Sequence, residues 1–291
     1  AYLAARRTGV AFMTTYHSGY SEQNRLKNLY NSVMVRGRRV IAVSDYMARL
    51  IRQRYGTPEE RIAVIHRGVD PAVFDPARVD PAGLEALRQG WNIRPRDKVI
   101  LLAGRLAARK GQAVLIEAAA QLNRQGMDDF VCLLVGDLQG REKYRDAILT
   151  AAARQGLAGR VRFTGHRADM AAIYALADVS LCVSENEGFP RVALEAQAMA
   201  TPVIVSDTGP GREVALTPPD APPDRATGLR VAYNDAGALA AALADMLAWP
   251  EERRRAMGRR GSAFVLGRYT VPVMCARTLK VYRQVIEETR R

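Results

Sequence analysis

From residue 98 onward, short runs that are apolar almost throughout alternate with longer stretches in which apolar residues recur every three or four positions. The runs are KVILLAGRL from Lys98, FVCLLVGDL from Phe130, VRFTGH from Val161, VSLCVS from Val179, PVIVSD from Pro202 and GLRVAY from Gly228. Between them the spacing predicts helices near 111–125, 141–155, 168–177, 190–200 and 235–248. A strand with one wet face alternates apolar and polar residues, whereas a strand covered on both faces has no polar positions to show. The pattern therefore predicts an α/β domain, a parallel sheet doubly wound with helices on both faces. In such sheets ligands bind beyond the carboxyl ends of the strands. The loops after Leu102, Val135, Phe163 and Val183 are the places to search.

Upstream, three more strand-like runs, GVAFMTTY, RVIAVS and RIAVIHRGVD, alternate with helical stretches near 21–36 and 45–54. They fit the second half of another α/β unit. The chain opens on Ala1 inside a helix-like stretch, so it is expected to be a fragment that lacks an N-terminal portion. DPARVDPAGLEALRQG (75–90) is rich in Pro, Gly and charge and reads as linker plus a short helix. The four prolines of LTPPDAPPDRATG (216–228) exclude regular structure there. The stretch VPVMCARTLKVYRQVIEE has apolar residues at helical spacing. The expected divisions are 1–85, the C-terminal part of a first Rossmann-like domain plus linker; 86–270, a second such domain; and 271–291, a C-terminal helix.

Composition narrows the class. No apolar run approaches the roughly 20 residues of a membrane span, and no signal-type segment follows Ala1 to Arg7. A soluble, cytoplasmic protein is expected. Cys132, Cys182 and Cys275 are far apart, and two of them fall inside strand-like runs. They read as reduced core residues rather than as a disulfide or metal framework. A formal net charge of +13 implies attraction to polyanions, whether nucleic acid, anionic lipid or a phosphorylated ligand. The arginines are scattered and no nucleic-acid module is recognisable, so no nucleic-acid partner is expected.

Two segments carry chemistry. Gly104 to Gly111, GRLAARKG, follows a strand and opens a helix. A glycine bend, the cations Arg105, Arg109 and Lys110, and a helix N-terminus together make a place for a diphosphate; an ordinary basic loop fits the same letters. The second segment is Glu187 to Glu195, EGFPRVALE. On one continuous helix these glutamates would lie about 12 Å apart, too far for the paired carboxylates of a retaining glycosidase. They read instead as separate acceptors for hydroxyl groups, although two solvated glutamates would look the same. Pro190 suits a first helical position, which leaves Glu187 in the loop and puts Val192, Leu194, Ala196 and Met199 toward the sheet. No Asp-x-Asp pair or His/Asp cluster points to a metal.

Taken in order, GRLAARKG, EGFPRVALE and the following AMATPVIVSD resemble the signature set of the retaining glycosyltransferases of family 4. VIAVSDYM and IHRGVDPAVFDP resemble that family's domain-joining region, so the resemblance covers nearly the whole chain. It implies a GT-B architecture, two Rossmann-like domains facing across a cleft, the first one incomplete here. The C-terminal helix would cross back, bringing residues 271–288 against residues 1–80. Residue by residue, the resemblance implies that Arg105 and Lys110 hold the donor diphosphate beside Gly104, that Glu187 binds hydroxyls of the transferred sugar, and that Glu195 binds the ribose. Gly188, Phe189, Pro190, Arg191 and Val192 would complete the donor site. The loop Phe163–Arg167, including His166, would hold the base, largely by backbone contacts. His17, in TTYHSGY, would stand against the donor sugar, making His17, Arg105, Lys110 and Glu187 the catalytic set.

The chain departs from the family at two places. Pro190 stands where glycine is usual and offers no N–H to a phosphate, so Arg191 is expected to compensate by charge. Ala200 also replaces a common glycine, a change expected to be harmless. The resemblance further implies a nucleotide-diphosphate-sugar donor, a glycan or lipid-linked acceptor, and neither cofactor nor metal. The expected role is in lipopolysaccharide or other cell-surface glycan synthesis, with the basic charge suiting peripheral contact with an anionic inner membrane. A non-catalytic sugar-nucleotide-binding scaffold is the alternative, because the family's glycine-rich loop in the first domain has no counterpart in these residues.

Overall fold

The first three apolar runs form strands β1 (Met13–Tyr16), β2 (Arg39–Ala42) and β3 (Ile62–Val64), paired in parallel in that order. The computed structural model describes residues 1–19 and 25–290. The helix predicted near 21–36 therefore begins outside the described residues; within them it is the helix Arg25–Asn31, followed by a tight 3-10 turn, Ser32–Val35. A longer helix, Asp45–Tyr55, returns the chain to β3. The linker carries the short helix Pro81–Gly90, capped by the Asp80 carboxylate on the N–H groups of Ala82 and Gly83.

The second sheet has six strands: β4 (Lys98–Ala103), β5 (Phe130–Val135), β6 (Val161–Gly165), β7 (Val179–Cys182), β8 (Val203–Ser206) and β9 (Gly228–Val231). Their order is β6-β5-β4-β7-β8-β9, and every pairing is parallel. Alternate residues serve opposite layers: Val99, Leu101, Val131 and Leu133 pack on one side, Ile100, Leu102, Cys132 and Leu134 on the other. This double burial is why the runs show no polar alternation. The chain starts in the middle at β4, winds outward to β6, crosses to β7 and winds the other way. The seam between β4 and β7 is therefore the point where loops leave in opposite directions and open a crevice.

One apolar layer of this sheet continues into the first lobe, where Tyr16, Val40, Met47 and Ile51 join the cluster that contains Leu101 and Leu133. The C-terminal helix, Val271–Arg290, packs on the first lobe as well: Val281 is buried with Ile41 and Ile65. Arg39 pairs with Glu288, and Arg38 Nη1 donates to the Glu288 carbonyl at 3.2 Å. Its start is tied to the lobe junction, since the Val69 N–H donates to the Tyr269 carbonyl at 2.8 Å and the Val271 N–H to that of Val69 at 2.9 Å.

The helix Glu251–Leu266 is not foreseen by the spacing of apolar residues. Its glycines make it look broken, yet one of them is what seats it: a Cβ on Gly258 would lie 1.8 Å from the Ala200 carbonyl oxygen. Ala200 itself has φ +56, a left-handed conformation that favours glycine, so this departure carries strain on the order of 1 kcal/mol rather than none. Cys132, Cys182 and Cys275 are all free; the first two are core residues whose burial pushes each thiol up to about 12, whereas Cys275 is exposed on the C-terminal helix and is not a core residue. Among the described residues no helix is long and apolar enough to cross a membrane.

Candidate functional site

The loops after β4 and β7 meet at the seam, where the Glu185 N–H donates to the Arg109 carbonyl at 2.8 Å. The first loop ends in a tight turn, Ala108–Lys110, and the helix Gln112–Arg124 opens at Gly111. Gln112 is buried and donates Nε2–H to the Arg105 carbonyl at 3.2 Å, fixing the backbone that presents Arg105. Between the loops and the first lobe lies a cavity of about 320 Å³, lined by His17, Ser18, Arg67, Arg105, Arg109, Lys110, Asn186, Glu187, Gly188, Phe189, Pro190, Arg191, Val192 and Glu195. Five of these are cations and two are carboxylates, so the lining carries a net positive charge, which favours an anion.

The two signatures bond to each other: Lys110 Nζ and Glu187 Oε1 form an ion pair across the seam. The sequence assigned them to different parts of a donor; the structure places them close enough to neutralise one another. Arg105 Nη1 donates to Gln139 Oε1 at 3.0 Å, and Arg109 Nη1 reaches the Asn186 carbonyl at 3.5 Å.

Pro190 is extended (φ −77, ψ 103) and precedes the helix Arg191–Ala198 instead of opening it, a shift of one position. Glu195 is deeper in that helix and accepts from the Tyr174 hydroxyl at 3.1 Å. Burial pushes its carboxyl up; Arg191 and the Tyr174 bond offset only part of this. The Phe189 ring packs in an aromatic group with His66 and Tyr269, at centroid distances of 5.0 and 5.2 Å.

The first lobe closes the cavity through His17 and Ser18, after β1, and Arg67, after β3. Gly188 lies so close to His17 that a Cβ would come within 1.7 Å of the His17 carbonyl oxygen. Ser44 Oγ donates to the Gly188 carbonyl at 2.8 Å while accepting from the Met47 N–H at 3.0 Å, so one hydroxyl caps a helix and joins the lobes. Arg67 Nη2 donates to His17 Nδ1 at 2.9 Å. Burial first, and Arg67 second, hold the imidazole below its ordinary range.

Beside the cavity, Glu213 from the second lobe accepts the N–H groups of Asp45 (2.8 Å) and Tyr46 (2.7 Å), capping the helix Asp45–Tyr55 across the junction. His66 Nε2 is 3.2 Å from Glu213 Oε2 and 3.4 Å from Asp45 Oδ2. These three side chains stand at metal-ligand spacing, a His/Asp cluster that no single stretch of sequence displays. Both Glu213 oxygens are already taken by backbone N–H groups, so the group works as a polar bolt between lobes.

Most of the residues singled out from sequence converge on the cavity. His166 does not: it is exposed in the loop after β6, two strands from the seam. Gly104 shapes the turn after β4 without lining the cavity. Arg67, Ser18 and Asn186 escaped the sequence reading. Arg67 sits in IHRGVD, which was read as a joining segment; that such a segment must run along the cleft was the available signal.

Residues 84–263 match the family model described as Glycosyl transferases group 1, and residues 1–73 the one described as Glycosyltransferase Family 4. The D-inositol 3-phosphate glycosyltransferase of Salinispora tropica is 33% identical over 267 residues, covering 89% of this chain and 53% of the relative. That of Segniliparus rotundus is 32% identical over 250 residues, covering 85% and 52%. The chain thus spans about half the length of these curated relatives. A glycosyltransferase structure from Rickettsia africae has a TM-score of 0.85 at 29% identity, over 98% of this chain and 73% of that one. Anabaena HepE, solved with UDP and glucose, has a TM-score of 0.84 at 24% identity, over 97% and 74%, a likeness of fold. With its two parallel sheets in the GT-B arrangement and its ordered signatures at the seam, the chain belongs to the glycosyl transferases group 1 family.

Proposed function

We propose that the cavity is the donor site of a retaining glycosyltransferase that moves a sugar from a nucleotide-diphosphate-sugar to a hydroxyl acceptor. The observation that carries this reading is the excess of cations over carboxylates at the β4–β7 seam, the place in the fold built for a phosphorylated ligand. In this reading the diphosphate takes Lys110 from Glu187, and Glu187 is released to accept from sugar hydroxyls. Arg105 and Lys110 then stabilise the charge that grows on the leaving diphosphate. The bond from the anomeric carbon to the diphosphate oxygen breaks, the bond to the acceptor oxygen forms on the same face, and the acceptor proton passes to the departing phosphate. Arg191 supplies charge where Pro190 supplies no N–H, and Glu195 accepts from the ribose. The work falls to side-chain cations, with no metal invoked.

UDP is the natural first probe, since HepE was solved with it. For the acceptor, the relatives above 30% identity carry names that specify a phosphorylated polyol, which favours a small phosphorylated acceptor over a lipopolysaccharide core. Calorimetric titration of UDP tests the donor site. Lys110→Ala and Arg105→Ala should each weaken binding about tenfold to a hundredfold, the worth of one charge-assisted bond. Arg109→Ala, whose side chain leans on Asn186, should cost less than about 1 kcal/mol. Equal losses at all three would mean a diffuse basic patch and would overturn the specific clamp.

A further inference from the structure

We infer that Arg67 is a positioning residue that fixes the tautomer of His17, so that His17 presents a hydrogen-bond donor, Nε2–H, to the ligand in the cavity. The inference deepens the transferase reading by assigning what the first lobe contributes to it. It rests on one contact, the 2.9 Å bond between Arg67 Nη2 and His17 Nδ1. A guanidinium has five N–H donors and no acceptor, and it does not lose its proton in a protein. The bond therefore exists only if Nδ1 offers a lone pair, which leaves the ring's single proton on Nε2. Protonating His17 would set an Nδ1–H against the guanidinium, donor to donor and charge to charge.

The surroundings reinforce this. Around His17 the same cavity presents Arg105, Arg109 and Lys110 from the loop after β4, Glu187 from the loop after β7, and Arg191 and Glu195 from the helix that follows. Lys110 is paired with Glu187, so that carboxylate of the cavity is already engaged. The His17 backbone is held by the close approach of Gly188 to its carbonyl, so the ring swings from a fixed base. A neutral imidazole with Nε2–H can donate to an oxygen of a bound sugar and cannot take a proton from a hydroxyl at that nitrogen. His17 is thus an orienting donor, and the acceptor's proton must leave by another route.

The chain has three histidines, so the ring nitrogens are separable by long-range proton–nitrogen correlation spectroscopy on histidine-labelled protein, with His17→Gln identifying the signals. In the unsubstituted chain His17 should show a bare Nδ1 and a protonated Nε2, and should stay neutral to a pH below the ordinary value of about 6.5. Arg67→Ala should mix the tautomers and move the titration up toward that value. Arg67→Lys, which also donates and cannot accept, should keep the Nε2–H form. A protonated Nδ1 in the unsubstituted chain, or a His17 unchanged by Arg67→Ala, would overturn the inference. These measurements need no donor, whereas UDP titration needs no tautomer, so the inference and the transferase reading fail separately.

Discussion

The two lobes cover themselves to different degrees. Every residue of β5 and all but the first of β4 are buried, with helices on both faces of their sheet. In the first lobe β3 is only half-buried throughout, β1 is buried at a single position, and Leu3, Val10, Leu29 and Tyr30 are each at least 60% exposed. The second lobe closes on itself and holds most of the cavity's charge. The first lobe, as far as this chain carries it, is joined to the second by the Glu213 cap, the Gly188 contact and the C-terminal helix. The difference teaches that ligand binding and lobe juxtaposition are separable, with the seam belonging to a self-sufficient scaffold and His17 and Arg67 belonging to a lobe that must be kept in place.

The strongest way to break this division is Gly188→Ala. The new methyl would meet the His17 backbone carbonyl, and neither side can yield without parting the lobes. A loss of roughly 3 kcal/mol is expected, at the upper end of ordinary overpacking. Denaturant unfolding followed by tryptophan fluorescence, which reports the second lobe through Trp91 and Trp249, and by far-ultraviolet dichroism, which reports both lobes, should give transitions that no longer coincide. An unchanged midpoint would mean that the first lobe does not depend on this contact.

Glu213→Ala sharpens the same comparison with a smaller effect. It leaves the N–H groups of Asp45 and Tyr46 without their acceptor, and bonds to a charged group are worth about 1.5 to 3 kcal/mol, part of which water will recover. A loss of about 2 kcal/mol is expected. Burial alone would push the Glu213 carboxyl up, but the bonds from His66 and from the Tyr46 and Asp45 N–H groups together hold it below the ordinary range. Its stabilisation is therefore complete above the unfolded glutamate value of about 4.3 and is lost as pH falls through the lower folded value. Denaturation midpoints of the two proteins should differ at neutral pH and converge in acid; a constant gap would place the cost elsewhere.

What could be read in the sequence follows the same divide. The second lobe was legible because double burial writes itself as unbroken apolar runs, and because GRLAARKG and EGFPRVALE each lie in one stretch beside a strand end. The junction was not legible, because its parts come from segments far apart: Asp45, His66 and Glu213 form one polar group, and Arg67 meets His17 across fifty residues. The helix Glu251–Leu266 was missed for a third reason, since Gly258 is costly to a helix alone and necessary to this one against Ala200.

Glu195→Gln should have the smallest effect on stability and the opposite sign. In the folded chain burial raises the carboxyl's pKa, with Arg191 and Tyr174 offsetting only part, so the folded state binds a proton more readily than the unfolded chain does. Stability then falls as pH rises from the ordinary glutamate value through the raised folded one. Glutamine keeps an oxygen for the Tyr174 hydroxyl and carries no charge to desolvate. A gain of about 1 kcal/mol or less is expected at neutral pH, shrinking toward acid. The same change should weaken UDP binding about fivefold, since a ribose hydroxyl would then donate to a neutral acceptor in place of a carboxylate, a difference of about 1 kcal/mol. Stability and affinity moving in opposite directions would identify Glu195 as a charge held at structural cost for the ligand. If both fell together, Glu195 would be a packing residue of the helix Arg191–Ala198, and the ribose would have to be held by another group of the seam.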